Sequence, residues 1–214
     1  MDILTPAIDR YLNALATTDD EPVLLAMEQY AEEHGFPIVG RLCGRFLEVM
    51  ARSVKAQRIF EMGSGYGYSA YWFSRATGPD GEIHLTDMDP DNETRALDYL
   101  GRAELDGPID YHVASAFDAF NATDGDFDIV YCDIDKHEYP QAFELARSRV
   151  RVGGLYMCDN MLWSGRVTGE EPDDSHPELT RAIDEANKLI AAEQDWRSFI
   201  LPIRDGVVCA TRVR

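Results

Sequence analysis

The first part of the chain carries apolar residues three and four positions apart, the spacing of an amphipathic helix. This pattern predicts helices at 5–17, 21–34 and 40–54. Beyond residue 55, short apolar runs typical of buried strands alternate with further helical stretches. The predicted strands are 57–63, 81–87, 109–113, 127–133 and 154–159, and the predicted helices are 67–77, 91–104, 139–150 and 178–193.

Alternation of strand and helix is typical of a parallel sheet with helices on both faces. The final segment, 196–213, instead contains two strands around an Arg-Asp-Gly turn. We therefore predict an α/β fold: a Rossmann-like, doubly wound, mostly parallel sheet with a C-terminal antiparallel hairpin and extra N-terminal helices. At 214 residues and 45% hydrophobic, the chain can bury one sizeable core. We expect a single domain over 1–214, with N-terminal helices in 1–55 and the Rossmann-like core in 56–214.

The chain is strongly acidic, with a net charge of −19. Nucleic acids and anionic membranes are bound through Lys and Arg, so this charge argues against both as partners. No window approaches the roughly 20 apolar residues of a membrane span. The four cysteines are scattered without a CxxC pair, which favours free thiols and a cytoplasmic location. The acidic, proline-containing stretch 168–178 is predicted to be a surface loop.

The candidate site lies at the carboxyl ends of the strands, where doubly wound sheets bind their ligands. Small or acidic residues follow or end five predicted strands, and Lys136 is the basic exception. In chain order the residues are Glu61 with the loop that starts at Gly63, then Asp87, the stretch 114–116, Asp133 with Asp135 and Lys136, and Asp159 with Asn160.

The glycine loop narrows the choice of nucleotide-like ligand. Gly63, Gly65 and Gly67 form G-x-G-x-G, whereas a dinucleotide site typically has G-x-G-x-x-G. Glu61 would repel a pyrophosphate and would suit an amino group, and Asp87 can accept the hydroxyls of a ribose. Together they favour S-adenosylmethionine. The alternatives are a plain strand-to-helix turn for the loop and a helix cap for Asp87.

Asp133, Asp159 and Asn160 offer two carboxylates and one amide oxygen at neighbouring strand ends. Oxygen ligands of this kind suit Mg²⁺, or another divalent cation such as Ca²⁺ or Mn²⁺, and do not suit zinc. The alternatives are that Asp159 and Asn160 shape a turn and that Asp133 caps a helix. The sequence therefore predicts a divalent-cation site, with these structural roles kept open.

Three blocks resemble a known family. "FEMGSGYGYSA" (60–70), "FDIVYCDIDKHEY" (127–139) and "GGLYMCDNMLWSGRV" (153–167) are similar to blocks of the cation-dependent class I S-adenosylmethionine O-methyltransferases of the catechol and caffeoyl-CoA type. The closing "LPIRDGVVCATR" (201–212) resembles the last hairpin of that family. Gly65 departs from the resemblance, since many relatives have a bulkier residue there. The similarity runs from about residue 35 to the C-terminus.

The resemblance implies roles for single residues. Lys136 would be the general base, and Trp163 would form a wall of the acceptor pocket. The cation would be held by Asp133, Asp159 and Asn160. The residues implied to bind the cofactor are Glu61, Gly63 and Ser69 near the methionine part, Asp87 at the ribose, Ala116 at the adenine and Asp135 near the amino end, together with Gly65 and Asp133.

The function expected from these observations is divalent-cation-dependent transfer of a methyl group from S-adenosylmethionine to a hydroxyl of a small catechol-like acceptor, by a homodimer. The N-terminal helices could cover the pocket or join the partner subunit. Lys136 could instead form a surface ion pair with Asp135 or Glu138, and His112 and His137 are interpreted as ordinary polar residues. The alternatives are a methyltransferase acting on hydroxylated uridine in transfer RNA and a non-methylating nucleotide-binding Rossmann protein.

Overall fold

The computed structural model describes residues 5–16, 21–105, 107–170 and 174–214. The helices in these ranges are α1 (Pro6–Ala16), α2 (Pro22–His34), α3 (Gly40–Ser53), α4 (Tyr68–Thr77), α5 (Pro90–Arg102), α6 (Ala116–Ala122), α7 (Tyr139–Ala146) and α8 (Pro177–Ala192). The strands are β1 (Arg58–Met62), β2 (Glu82–Asp87), β3 (Ile109–Val113), β4 (Phe127–Cys132), β5 (Val150–Cys158), β6 (Trp196–Leu201) and β7 (Val207–Arg212).

The strands form one seven-stranded sheet in the order β3-β2-β1-β4-β5-β7-β6. Strands β1 to β5 pair in parallel, and β7 pairs antiparallel with both β5 and β6. The doubly wound sheet, the terminal hairpin and the extra N-terminal helices are therefore confirmed. The strand order reverses between β1 and β4, and such a switch point opens a crevice for a ligand. The single-domain division stays a prediction.

The central strands are apolar because helices cover both faces of the sheet. Ile129, Val130, Tyr131 and Cys132 of β4 are all fully buried. One buried cluster packs β1, β2 and β4 against α2, α3 and α4, and a second packs the other face against α6, α7 and α8. This burial on both faces explains why the strands appear in the sequence as continuous apolar runs rather than as alternating patterns.

Some boundaries differ from the prediction. Helix α6 was not predicted, because seven residues are too few to show a helical period, although the side chain of Ser115 caps it by accepting a hydrogen bond from the Asp118 N–H at 3.4 Å. Helix α7 ends at Ala146 instead of residue 150, since β5 begins at Val150 and pairs there with Phe127. Residues 171–173 of the predicted acidic loop lie outside the described ranges.

All four cysteines are buried and form no disulfide in the described structure. Their burial agrees with the interpretation of free thiols. Among the helices of the described ranges, none combines the length and the apolar character needed to cross a lipid bilayer.

Candidate functional site

A cavity of about 700 Å³ opens at the carboxyl edge of the sheet, above β1, β2 and β4. This volume lies within the range of about 300–1,000 Å³ that is usual for small-molecule sites. Nine of the predicted site residues line it. They are Gly63, Gly65, Ser69, Asp87, Ala116, Asp133, Asp135, Lys136 and Asn160.

The glycine loop between β1 and α4 needs its first two glycines for different reasons. Gly63 has φ +81°, and a Cβ there would lie 2.4 Å from the carbonyl oxygen of Asp133. Gly65 has φ +49°, and a Cβ there would meet the ring of Phe36 at 2.9 Å. Phe36 thus takes up space beside Gly65 that a bulkier residue would need, which gives a physical reason for the departure at this position. The loop backbone is held by Tyr111, whose hydroxyl donates to the Gly65 carbonyl oxygen at 2.6 Å.

Glu61 lies inside β1 and is fully buried, so it does not line the cavity itself. One of its carboxyl oxygens, Oε1, accepts a hydrogen bond from the Ser69 hydroxyl, and Ser69 does line the cavity. The other oxygen, Oε2, has no hydrogen-bond partner among the described residues. Burial raises the pKa of Glu61 to about 8, although the bond from Ser69 acts to lower it. The carboxyl is therefore protonated at pH 7 until a cationic group comes close enough to stabilise its charge.

Asp87 ends β2 and lines the cavity. Its Oδ1 accepts hydrogen bonds from the Asp89 backbone N–H at 2.8 Å and from Asn92 Nδ2 at 3.1 Å. Neither bond uses Oδ2. The N-cap of α5 is Asp89, whose Oδ1 accepts from the Asp91 N–H at 2.9 Å, so capping does not occupy Asp87.

Asp133, Asp135 and Lys136 follow β4 directly and line the cavity. Lys136 Nζ donates to Asp133 Oδ1 at 3.0 Å and to the Ile134 carbonyl oxygen at 3.2 Å. The same nitrogen lies 5.0 Å from the centre of the Tyr139 ring. The ion pair of Lys136 is thus formed with Asp133 rather than with Asp135 or Glu138, and it holds Lys136 at the cavity wall.

Asp159 follows β5 and is fully buried beneath the cavity. Its Oδ2 accepts a hydrogen bond from Arg204 Nη1 at 2.6 Å, whereas Oδ1 is buried and has no partner among the described residues. Burial and the charge of Asp133 raise the pKa of Asp159 to about 6 despite the ion pair with Arg204. Asn160, the next residue, lines the cavity and has φ +59°.

These residues fit a divalent cation. Asp133, Asp159 and Asn160 supply oxygen atoms, and Oδ1 of Asp159 is buried without a hydrogen-bond partner among the described residues, whereas Oδ2 pairs with Arg204. Lys136 pairs with one oxygen of Asp133, and Arg204 pairs with one oxygen of Asp159. A cation bound here would therefore share Asp133 and Asp159 with two cationic side chains of the protein.

Trp163 lies in a short 3-10 turn after β5 and does not line the cavity. Its φ is +49°, and its indole Nε1 is buried without a hydrogen-bond partner among the described residues. The structure brings it near β5 and Arg166, whose guanidinium lies 5.8 Å from the ring centre. Its role at the acceptor stays a prediction, as do the roles of the other site residues.

Two parts of the cavity wall were not among the predicted site residues. One is the segment 36–39 between α2 and α3, which forms part of the wall and shows that the N-terminal region reaches the site. The other is Arg204, in the turn between β6 and β7. Because β7 is antiparallel to β5 and Val208 pairs with Cys158, this turn lies beside the carboxyl end of β5. The Arg-Asp-Gly turn was the signal that could have located Arg204.

Comparisons with known proteins agree with this geometry. A model of the O-methyltransferase family matches residues 17–213. A catechol O-methyltransferase of Niastella koreensis is 30% identical over 77% of this chain and 76% of its own length. A probable caffeoyl-CoA O-methyltransferase of Arabidopsis thaliana is 29% identical over 83% of this chain and 78% of its own length.

A solved structure shares the fold along the whole molecule. The O-methyltransferase TomG of Streptomyces achromogenes, solved in complex with SAM, superposes with a TM-score of 0.85 at 24% identity and covers 97% of this chain and 96% of its own. The family match, the relatives and the cavity at the strand ends lead to one conclusion. The chain belongs to the O-methyltransferase family and is an S-adenosylmethionine-dependent O-methyltransferase.

Proposed function

We propose that this enzyme methylates a hydroxyl of a small catechol-like acceptor and that a divalent cation, in the first place Mg²⁺, is required. The observation that carries the proposal is the pair of carboxylates at the ends of β4 and β5, with Asp159 Oδ1 buried and unpartnered beside a lysine held at the cavity wall. The names of the relatives, catechol and caffeoyl-CoA O-methyltransferases, supply the class of acceptor.

The cofactor lies above β1 and β2 in this proposal. Glu61 and Ser69 receive its amino group, because an ammonium would stabilise the charged form of the buried Glu61 carboxyl. Asp87 accepts hydrogen bonds from the ribose hydroxyls through the oxygen that Asp89 and Asn92 leave unused. The bound cofactor supplies an electrophilic methyl group on a sulfonium.

The acceptor lies above β4 and β5. Asp133, Asp159 and Asn160 would hold the cation, which supplies a Lewis acid that orients two adjacent hydroxyl oxygens and makes one of them more acidic. Arg204 would remain beside Asp159 and limit the negative charge around the acceptor. Asn160 lines the cavity, and its Nδ2 lies 3.5 Å from Asp205 Oδ2.

Lys136 takes the proton from the reacting hydroxyl. Its Nζ donates hydrogen bonds to Asp133 and to the carbonyl oxygen of Ile134, and these two bonds hold the nitrogen in one position at the cavity wall. Asp133 pairs with Lys136 Nζ and is also an expected ligand of the cation, so one carboxylate connects the base to the cation. This shared partner gives a physical reason for placing base and cation ligand three residues apart.

The test is methyl transfer to matched acceptors with and without EDTA. We expect a catechol to be methylated in Mg²⁺ at least about 100-fold faster than the monophenol that lacks one of its hydroxyls, since only the catechol can be held by both oxygens. EDTA should abolish transfer while S-adenosylhomocysteine stays bound. Equal turnover of both acceptors in EDTA would contradict the proposal.

A third acceptor separates the remaining alternative. Transfer RNA carrying hydroxylated uridine should not be methylated, because the net charge of −19 opposes binding of a polyanion. Methylation of this RNA in place of the catechols would shift the function to RNA modification. The homodimer expected from the family resemblance stays a prediction that light scattering can check.

A further inference from the structure

A second group of potential metal ligands lies on a face of the sheet, outside the cavity. His84 belongs to β2, and Asp110 and His112 belong to β3, the outermost parallel strand. Asp110 and His112 are two residues apart and therefore share a face of β3. In the pairing of β2 with β3, His84 lies beside Asp110 and Thr86 beside His112, which brings the three side chains together.

The three potential ligand atoms form a small, nearly regular triangle. His84 Nδ1 lies 3.3 Å from His112 Nε2, and each of these nitrogens lies 3.5 Å from Asp110 Oδ2. Ligands about 2.0–2.1 Å from a tetrahedral zinc ion are separated from one another by about 3.3–3.4 Å. The triangle therefore has the dimensions of one face of a zinc tetrahedron. Asp110 is exposed, so the fourth position can be reached by water.

The hydrogen bond on the far side of His84 determines which nitrogen can bind a metal. Glu82 Oε1 lies 2.7 Å from His84 Nε2, and because a carboxylate accepts, Nε2 carries the proton. Arg58 Nη2 is also near this nitrogen, but at 3.3 Å, and its own Nε donates to Glu82 Oε2 at 2.7 Å. The shorter contact with Glu82 decides the tautomer. The lone pair of His84 Nδ1 then points toward His112 and Asp110.

This is the arrangement in which metal-binding histidines are usually held, with a carboxylate behind the imidazole. The ring of His84 is also fixed by packing. It is 3% exposed, lies nearly parallel to the Phe60 ring with centres 5.9 Å apart, and meets the His112 ring edge to edge, with centres 5.6 Å apart. Little side-chain entropy therefore remains to be lost when His84 binds a cation.

We propose that His84, Asp110 and His112 bind a transition-metal cation, with Zn²⁺ the best match. Two imidazoles and one carboxylate suit zinc and similar borderline metals, in contrast to the oxygen ligands of Asp133, Asp159 and Asn160. The metal ties the outermost strand β3 to β2. The site is independent of the proposed acceptor chemistry, because the residues that line the cavity do not include these three.

The proposal is tested by zinc binding to the full chain after treatment with EDTA. Zn²⁺ is titrated by competition with a chromophoric chelator, in excess Mg²⁺ so that the oxygen ligands at the cavity are occupied. We expect one Zn²⁺ per chain, bound at least about 100-fold more tightly than by His112→Gln, and a 10–100-fold weaker affinity in Glu82→Gln. Co²⁺ bound in place of zinc should show the intense visible absorption of a tetrahedral ion.

Matched variants locate the metal. His34→Gln, an exposed histidine on α2, should bind zinc as the wild type does. Asp110→Asn should also weaken zinc binding. Because this side chain is exposed, the variant should fold normally and gives a clear result even if His112→Gln misfolds. Equal zinc affinity in the wild type, His112→Gln and Asp110→Asn would overturn the proposal. Loss of the zinc in Asp159→Asn together with its retention in His112→Gln would overturn it as well.

Discussion

The two halves of the cavity surround their carboxylates with different partners. In the half above β1 and β2, the cofactor half, Glu61 accepts a hydrogen bond from the Ser69 hydroxyl. Asp87 in the same half accepts from the backbone N–H of Asp89 and from the amide of Asn92. These donors are all uncharged, so within the described part of the chain the two carboxyl groups lack a positive partner.

In the half above β4 and β5, the acceptor half, the carboxylates pair with cationic side chains of the same chain. Asp133 accepts from Lys136 at 3.0 Å, and Asp159 accepts from Arg204 at 2.6 Å. Each pair is partly withdrawn from water, and the two pairs lie close enough for Asp133 to raise the pKa of Asp159.

This difference indicates which kind of ligand each half can bind. A carboxyl group with uncharged donors gains most from a ligand that brings its own positive charge or several hydroxyl groups. A carboxylate that already has a cationic partner must divide its oxygens between that side chain and an incoming cation or acceptor. We therefore expect changes in the acceptor half to alter turnover, and changes in the cofactor half to alter cofactor affinity and the pH dependence of stability.

The largest effect is expected at Lys136. Replacement by Met or Arg should lower kcat by a factor on the order of 10²–10⁴, the usual contribution of a positioned base, while S-adenosylhomocysteine binds unchanged. Arg fails here because a guanidinium does not give up its proton near neutral pH. Lys188→Met, which removes an exposed lysine of α8, is the matched control and should keep full activity. A wild-type kcat in Lys136→Arg would show that this lysine acts only as an ion-pair partner.

The second prediction concerns the pH dependence of stability in the cofactor half. Because the pKa of Glu61 is raised to about 8, its contribution is fully present below about pH 4.5 and is lost as the pH rises toward 8. Glu61→Gln removes the ionisable group, so the variant should gain roughly 3–5 kcal/mol over the wild type between pH 5 and pH 8.

The measurement is urea unfolding of the cofactor-free protein at several pH values. Glu185→Gln, an exposed change on α8, should leave the pH profile of the wild type intact. A profile for Glu61→Gln that is parallel to the wild type would show that the buried carboxyl does not hold its proton at neutral pH.

Asp87 should affect cofactor affinity rather than turnover. Asp87→Ala is expected to weaken binding of S-adenosylhomocysteine by about 1–3 kcal/mol, the cost of leaving hydroxyl groups without their acceptor. Asp89→Ala is the control, because it removes the cap of α5 and should lower stability by about 0.5–2 kcal/mol without a comparable loss of affinity. Calorimetric titration separates the two, and unchanged affinity in Asp87→Ala would place the ribose elsewhere.

The smallest effect is expected at Arg204. Arg204→Met removes a side chain that competes for Asp159, so Mg²⁺ should bind about 3–10-fold more tightly and raise Tm more than in the wild type. The variant should be less stable than the wild type in EDTA, since Asp159 is left buried without its partner. Arg181→Met, on the exposed side of α8, should change neither quantity. A smaller Mg²⁺ effect in Arg204→Met would mean that Arg204 helps to hold the cation.

Much of the fold and the chemistry of the site was predicted from the sequence, because both are encoded locally. Apolar runs and helical spacing identify the elements, and parallel strands must end at one edge, so residues such as Asp87, Asp133 and Asn160 were expected to face one cavity. Helix α6 was not predicted, because seven residues are too few for a helical period to be recognised.

The pairings across the sheet were decided only by the tertiary structure. The antiparallel return of β7 brings Arg204 to Asp159, and the register of β2 with β3 brings His84 to His112, although 28 residues separate the two histidines. Phe36 reaches Gly65 from the N-terminal region in the same way. Local patterns determine which face a side chain occupies. They do not determine its neighbour on the next strand, because register and crossing depend on packing contributed by the whole chain.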